Sequence, residues 1–135
     1  MTGESSNAPM AGDLDNTAGG SIDSPDLQEG LQEARDIAEV PAVEVITAAA
    51  VHLMSAAAVK CGLAEDVEAD LDEARKLITA LAALVTAAAP EIGNQHARPL
   101  RDGLRSLQLA FREASVVPDP PGQGPGEKWT GAVLR

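Results

Sequence analysis

The sequence predicts an all-α fold: a small helical hairpin plus a third helix, three-helix bundle-like, with a possible extra N-terminal helix and disordered termini. Three observations predict it. Apolar residues recur at spacings of three and four through Asp70–Ala88. Pro and Gly divide the remaining chain into stretches of helical length. No stretch alternates with the period of a strand. With one Phe, one Trp and no Tyr among 135 residues, the core must be aliphatic and rich in Ala. Each small side chain then buries little area, at roughly 25 cal/mol per Å² of apolar surface. So thin a core favours a partner or self-association.

Residues 1–24 are an acidic, Gly/Ser/Asn-rich arm with almost no bulky apolar groups, a composition that reads as disordered. Residues 25–39 form an accessory helix. Ser24, Pro25 and Asp26 suit its first positions, and Leu27, Leu31, Ala34 and Ile37 make a thin stripe broken at Gly30. The helical core domain is 40–115. Pro41 stops the accessory segment and opens a second one. There Val43, Ile46, Ala50, Leu53, Met54, Ala57 and Cys61 share a face. Gly62 is placed as a left-handed C-cap, with Leu63 expected to fold back on the last turn. The short linker Ala64–Ala69 makes the next helix antiparallel.

Asp70 and Glu73 form a D-x-x-E capping pair ahead of that helix. Leu71, Ala74, Ile78, Leu81, Val85 and Ala88 are its stripe, widened by Leu77 and Leu84. Pro90 is expected to end it. The third helix should begin between Asn94 and Arg98, because Pro99 is tolerated only in a first turn. Leu100, Leu104, Leu107 and Phe111 form its core stripe, running to about Ala114. From there 116–135 is a Pro/Gly-rich extended tail.

The net charge of −11 is uneven. Residues 1–39 carry nine acids against Arg35. Such an arm either solubilises the chain or screens a basic surface. The single Cys61 allows no internal disulfide and fits a reducing cytoplasm. The N-terminus lacks a basic region and an apolar run, so it is not a signal peptide. The weakly polar runs Val45–Val59 and Leu77–Ala89 fall short of the roughly 20 residues a membrane span needs. A cytoplasmic protein with no membrane partner is expected.

Arg98, Arg101, Arg105 and Arg112 lie within roughly 60° of one another on the third helix, beside its apolar stripe. They are candidate partner-binding residues for phosphate or carboxylate groups. Alternatively they neutralise the chain's own acids, such as Glu65, Asp66, Glu68, Asp70 and Glu73, or the arm. A nucleic-acid partner is disfavoured, since the domain is acidic and lacks stacking aromatics. Lys128 and Trp129 in the tail are the other candidate contacts. They serve either as the anchor of a linear motif or in a C-terminal strap that lays Trp129 over the Ala-rich surface.

No catalytic set is visible. Asp66, Glu68, Asp70, Asp72 and Glu73 lack the central Gly and terminal Glu of a calcium loop. His52 and His96 have no metal-ligand spacing around them and read as surface or interface histidines. The tail's GQGPGEK fails the spacing of a phosphate loop. No catalytic residue, metal, cofactor or small-molecule substrate is indicated.

The stretches VPAVEVITAAAVHLMSAAAVKCGL, DLDEARKLITALAALV and PLRDGLRSLQLAFREAS resemble the bacterial family named domain of unknown function 1844, in its actinobacterial form. The resemblance rests on His52 with Leu53, Gly62 with Leu63, Leu71 with Ala74, Arg75 and Ile78, and Leu107 to Phe111. Thr79 stands where the family usually has Asp, and Cys61 where it usually has Leu. The tail PGQGPGEKWTG also resembles actinobacterial members. The resemblance implies a small cytoplasmic helical protein and supplies no catalytic or binding residues. It also carries an association with translation-initiation and ribosomal-protein genes.

The leading expectation is a non-catalytic helical protein-protein interaction module, homo-oligomeric through its Ala-rich hairpin or bound to an unknown protein partner. The alternative is a translation-linked regulator contacting RNA or a ribosomal partner through the Arg98/Arg101/Arg105/Arg112 row.

Overall fold

The computed structural model describes residues 25–36 and 38–133. The expectations for the arm 1–24, for Ile37 and for the last two residues lie outside the described residues. The described chain is helical, with no strand, and its helices pack on one another. The elements are α1 (Pro25–Asp36), α2 (Ala42–Lys60), α3 (Leu71–Ile92), α4 (Asn94–Ala114) and a single turn, α5 (Glu127–Thr130). The chain divides at Val40–Pro41: α1 belongs to the first unit, and α2 to α5 belong to the second.

α1 is exposed along its described side chains, Leu27 and Leu31 included. In the second unit, α3 packs against α2, α4 and α5, and α2 also meets α4. The spacing in α3 explains this role. Ala74, Ile78, Leu81, Ala82, Val85, Ala88 and Ala89 are all buried, too broad a set for one partner to cover. Ala50 and Ala57 of α2, two turns apart, are fully buried and let that helix approach closely. Leu100, Leu104, Leu107 and Phe111 of α4 close the core. Gly103 of α4 leaves room for Met54 of α2, whose Sδ a Cβ at that position would strike.

The ends of the helices follow capping chemistry. The Asp70 carboxylate accepts from the Glu73 backbone N–H at 3.3 Å. The reciprocal half of the capping pair does not form. Asp70 N–H donates instead to the Lys60 carbonyl at 2.7 Å, tying the start of α3 to the end of α2, and Glu73 accepts from Lys76 Nζ at 2.6 Å. At the end of α2, Gly62 N–H donates to Val59 O and Leu63 N–H to Ala58 O, at 3.0 and 3.1 Å. Those two bonds define a Schellman cap. Leu63, however, does not fold back on the last turn: it is 63% exposed.

Pro90 does not end α3, and α4 begins at Asn94, inside the expected range but early enough to carry Pro99 beyond the first turn. α3 continues through Pro90 to Ile92, and Gly93 N–H donates to Ala89 O at 3.0 Å. A proline removes only its own N–H from the ladder, so one more turn is possible. Gly93 is then the whole connection to α4. Its φ of 87° and ψ of 158° reverse the chain in one residue, a conformation that glycine adopts without strain. Pro99 is the sixth residue of α4, not a first-turn residue. It and Gln95, whose carbonyl loses a donor, are both exposed, so water can satisfy that carbonyl.

α2 has 19 residues and a mean hydropathy of 1.7, enough by length and composition to cross a membrane. In the structure Ala50 and Ala57 of that helix are buried on α3 and α4, and much of the rest is exposed.

Candidate functional site

The segment after Ser115 is neither featureless nor fully extended. It runs back across α3 and α4 as a strap, held at three points. At Asp119, Arg75 of α3 donates to both carboxylate oxygens, at 3.1 and 2.9 Å. Arg112 of α4 donates to the Asp119 carbonyl at 3.0 Å. One strap residue is thereby gripped by two helices. The same Arg75 guanidinium lies 5.0 Å over the ring of buried Phe111, so the cation is positioned from below as well.

The second hold is Gln108, 2% exposed on α4. Its Nε2 donates to the Pro125 carbonyl and to Thr130 Oγ1, both at 3.1 Å. The third is Gly126, with φ of 78°. A Cβ there would sit 2.5 Å from the Ala82 methyl and 3.2 Å from Gln108 Nε2. Only a bare backbone fits against α3 at this point.

Glu127 folds back into the GQGPGEK segment. Its carboxylate is nearly buried and accepts the Gly122 N–H at 2.8 Å. The chain thus supplies its own anion to the loop. Val133 is buried at the far end of the strap.

The arginine row divides under this geometry. Arg112 is half-buried and serves the strap; its partner is a carbonyl, not one of the acids at 65–73. Arg101 donates to Asn94 Oδ1 at 3.1 Å within its own helix. Arg98 is exposed near the start of α4. Arg101 and Arg105 line a cleft of about 420 Å³ whose other walls include Val85 and Ala89 of α3 and Trp129 of the strap. Trp129 is 39% exposed, with Lys128 Nζ 4.5 Å over its ring. The structure therefore gathers Arg101, Arg105 and Trp129 at one opening, which helical spacing alone does not place together. Of the residues that hold the strap, Arg75, Gln108 and Glu127 lie in the stretches that carry the family resemblance, but nothing in the sequence marks them or Asp119 as strap contacts.

The other candidates sit apart. Cys61 is 5% exposed in the core, and burial pushes its thiol pKa up, which makes it a poor nucleophile. His96 is exposed beside a shallow groove formed with Val43, Thr47 and Ala48. Among the described residues no three His, Cys, Asp or Glu side chains converge as metal ligands.

Exposed apolar side chains recur along α2 and at its exit. Val45, Val51 and Val59 are 38, 47 and 36% exposed, and Leu63 and Val67 follow at 63 and 46%. His52, Ala48 and Ser55 are exposed between the valines.

The fold and these surfaces define, among the described residues, a small helical protein with a docked C-terminal strap, a cleft lined by Arg101 and Arg105, and exposed apolar side chains on the outer face of α2. A family model described as a domain of unknown function, DUF1844, matches residues 42–113. That is more than half of the 135 residues, and the chain belongs to this family. The match spans α2, α3 and nearly all of α4, and ends before the strap. No curated protein and no solved structure matches the chain.

Proposed function

We propose that the chain is a non-catalytic protein-interaction module that associates with itself through the outer face of α2. In this reading α2 and α3 form an antiparallel hairpin braced by α4, α1 is an accessory to that unit, and the protein is a cytoplasmic one of the actinobacterial form. The carrying observation is the exposure of Val45, Val51 and Val59 on a helix whose fully buried contacts are alanines, with Leu63 exposed just past its end. An apolar face of this kind marks an interaction site. Light scattering on the full-length protein across a concentration series tests it. Dimer should form at micromolar concentrations and give way to monomer in Val59→Glu, with helical content unchanged. A monomer at every concentration would overturn the reading.

A second reading is favoured by one specific observation, the exposure of Arg98, Arg101 and Arg105 over about two turns of α4. There the protein is a translation-linked regulator that meets RNA or a ribosomal partner through this row. Against it stand the net charge of −11 and the single Trp. Its test is ribosome binding that weakens with rising salt and drops at least tenfold in Arg101→Glu/Arg105→Glu. Binding indifferent to salt and to those changes would retire it.

A further inference from the structure

The outer face of α2 is nearly symmetric about His52. Val45 and Val59 lie seven residues before and after it, Ala48 and Ala56 four, and Ala49 and Ser55 three. Side-chain size is matched at each mirrored pair. All but half-buried Ala56 are exposed, His52 included. Val45, Ala48, His52, Ser55 and Val59 also follow the alternating three–four spacing of a seam between two helices.

A surface that reads alike in both directions is what a two-fold axis requires, because an isologous contact sets one patch against itself. We infer that α2 pairs with α2 of a second copy, antiparallel, with the two-fold axis passing beside His52. This rests on the self-association reading and specifies its geometry. Val45 then lies at the level of Val59 of the second copy. Ala48 and Ala49 lie at the levels of its Ala56 and Ser55, so small side chains meet small ones and the axes can approach to roughly 8 Å. His52 meets its own copy at the axis. Neutral imidazoles carry one donor and one acceptor each, so the pair can hydrogen-bond there.

Charge selects the direction. Between Glu44 and Lys60 α2 carries no Asp, Glu, Lys or Arg, and these two stand eight residues before and after His52. The antiparallel arrangement brings Glu44 to the level of Lys60 of the second copy at both ends. A parallel pair would set Glu44 beside Glu44 and Lys60 beside Lys60, which is repulsive.

Disulfide trapping in the full-length protein tests the geometry. His52→Cys, Val45→Cys and Val59→Cys all change exposed positions, and the wild type controls for buried Cys61. Under mild oxidation His52→Cys should give at least tenfold more cross-linked dimer than Val45→Cys or Val59→Cys alone. In the antiparallel pair the latter two are each about 20 Å from their own copies, far beyond disulfide reach. An equimolar mixture of Val45→Cys and Val59→Cys should cross-link as mixed dimer. A dimer by light scattering in which Val45→Cys links to itself, or His52→Cys does not link, overturns this arrangement and leaves self-association standing. A monomer at all concentrations overturns both.

Discussion

Single residues decide whether the strap stays down. Gly126→Ala meets two costs together. A left-handed φ costs an L-residue roughly 1–2 kcal/mol, and the new methyl has the Ala82 methyl 2.5 Å away. The expected result is a loss of at least about 1 kcal/mol, lowering Tm by roughly 4–8 °C for a unit of this size. The emission of Trp129, the one Trp of the chain, should move to longer wavelength as it is released. An unchanged spectrum and Tm would contradict the packing described. Cys61 gives a pH prediction. Burial raises its pKa, so the folded chain keeps the proton to higher pH than the unfolded chain. Its contribution to stability is whole below the ordinary thiol value of about 8.5 and is lost as pH rises through the folded value. Chemical denaturation between pH 7 and 10 should find stability falling in that window in the wild type, and the fall reduced in Cys61→Ala. These roles were unevenly legible. A single Cys in an apolar run reads as buried, whereas Gly126 in a tail gives no hint that it touches Ala82, forty-four positions away.

At the scale of elements, capping chemistry and apolar spacing located α2, α3 and α4, because both act within a few residues. Pro90 gave too early an end for α3, and Pro99 lies past the first turn of α4, for the converse reason. A proline forbids one hydrogen bond, and whether that loss ends a helix depends on whether solvent or a neighbour satisfies the carbonyl. At Gln95 solvent reaches it, and α4 runs on. The strap's anchor to α3 is testable as a pair. Arg75 and Asp119 are 44% and 27% exposed at their side chains, so solvent screens them and the coupling should be small, about 0.2–1 kcal/mol. A double-mutant cycle with Arg75→Met and Asp119→Asn measures it. Arg75 should cost more than Asp119 when changed alone, because its guanidinium also lies over Phe111. Equal single-mutant costs would remove that contact from the account.

For the whole molecule, the strap is part of the second unit and not an appendage. Ending the chain after Ser115 would bare Gln108, Phe111 and Ala82 on the strap-facing side of α3 and α4. We expect a lower Tm, increased binding of an apolar dye, and helical content reduced by little more than α5. A truncated protein as stable as the full chain would make the strap an ornament. What the sequence determined by itself was everything encoded at short range: the helical class, the stripes that bury Ile78, Leu81 and Leu104, the caps at Asp70 and Gly62, and the family resemblance. The family match then followed over α2 to α4. Only the tertiary structure decided which arginines face the cleft and which hold the strap, where Trp129 lies, and which side of α2 is left uncovered. Helical periodicity fixes the angle of a residue around its own axis. Which neighbour occupies that angle is set by chain segments far away in sequence, and a Pro/Gly-rich segment without periodicity gives no sign of where it will dock.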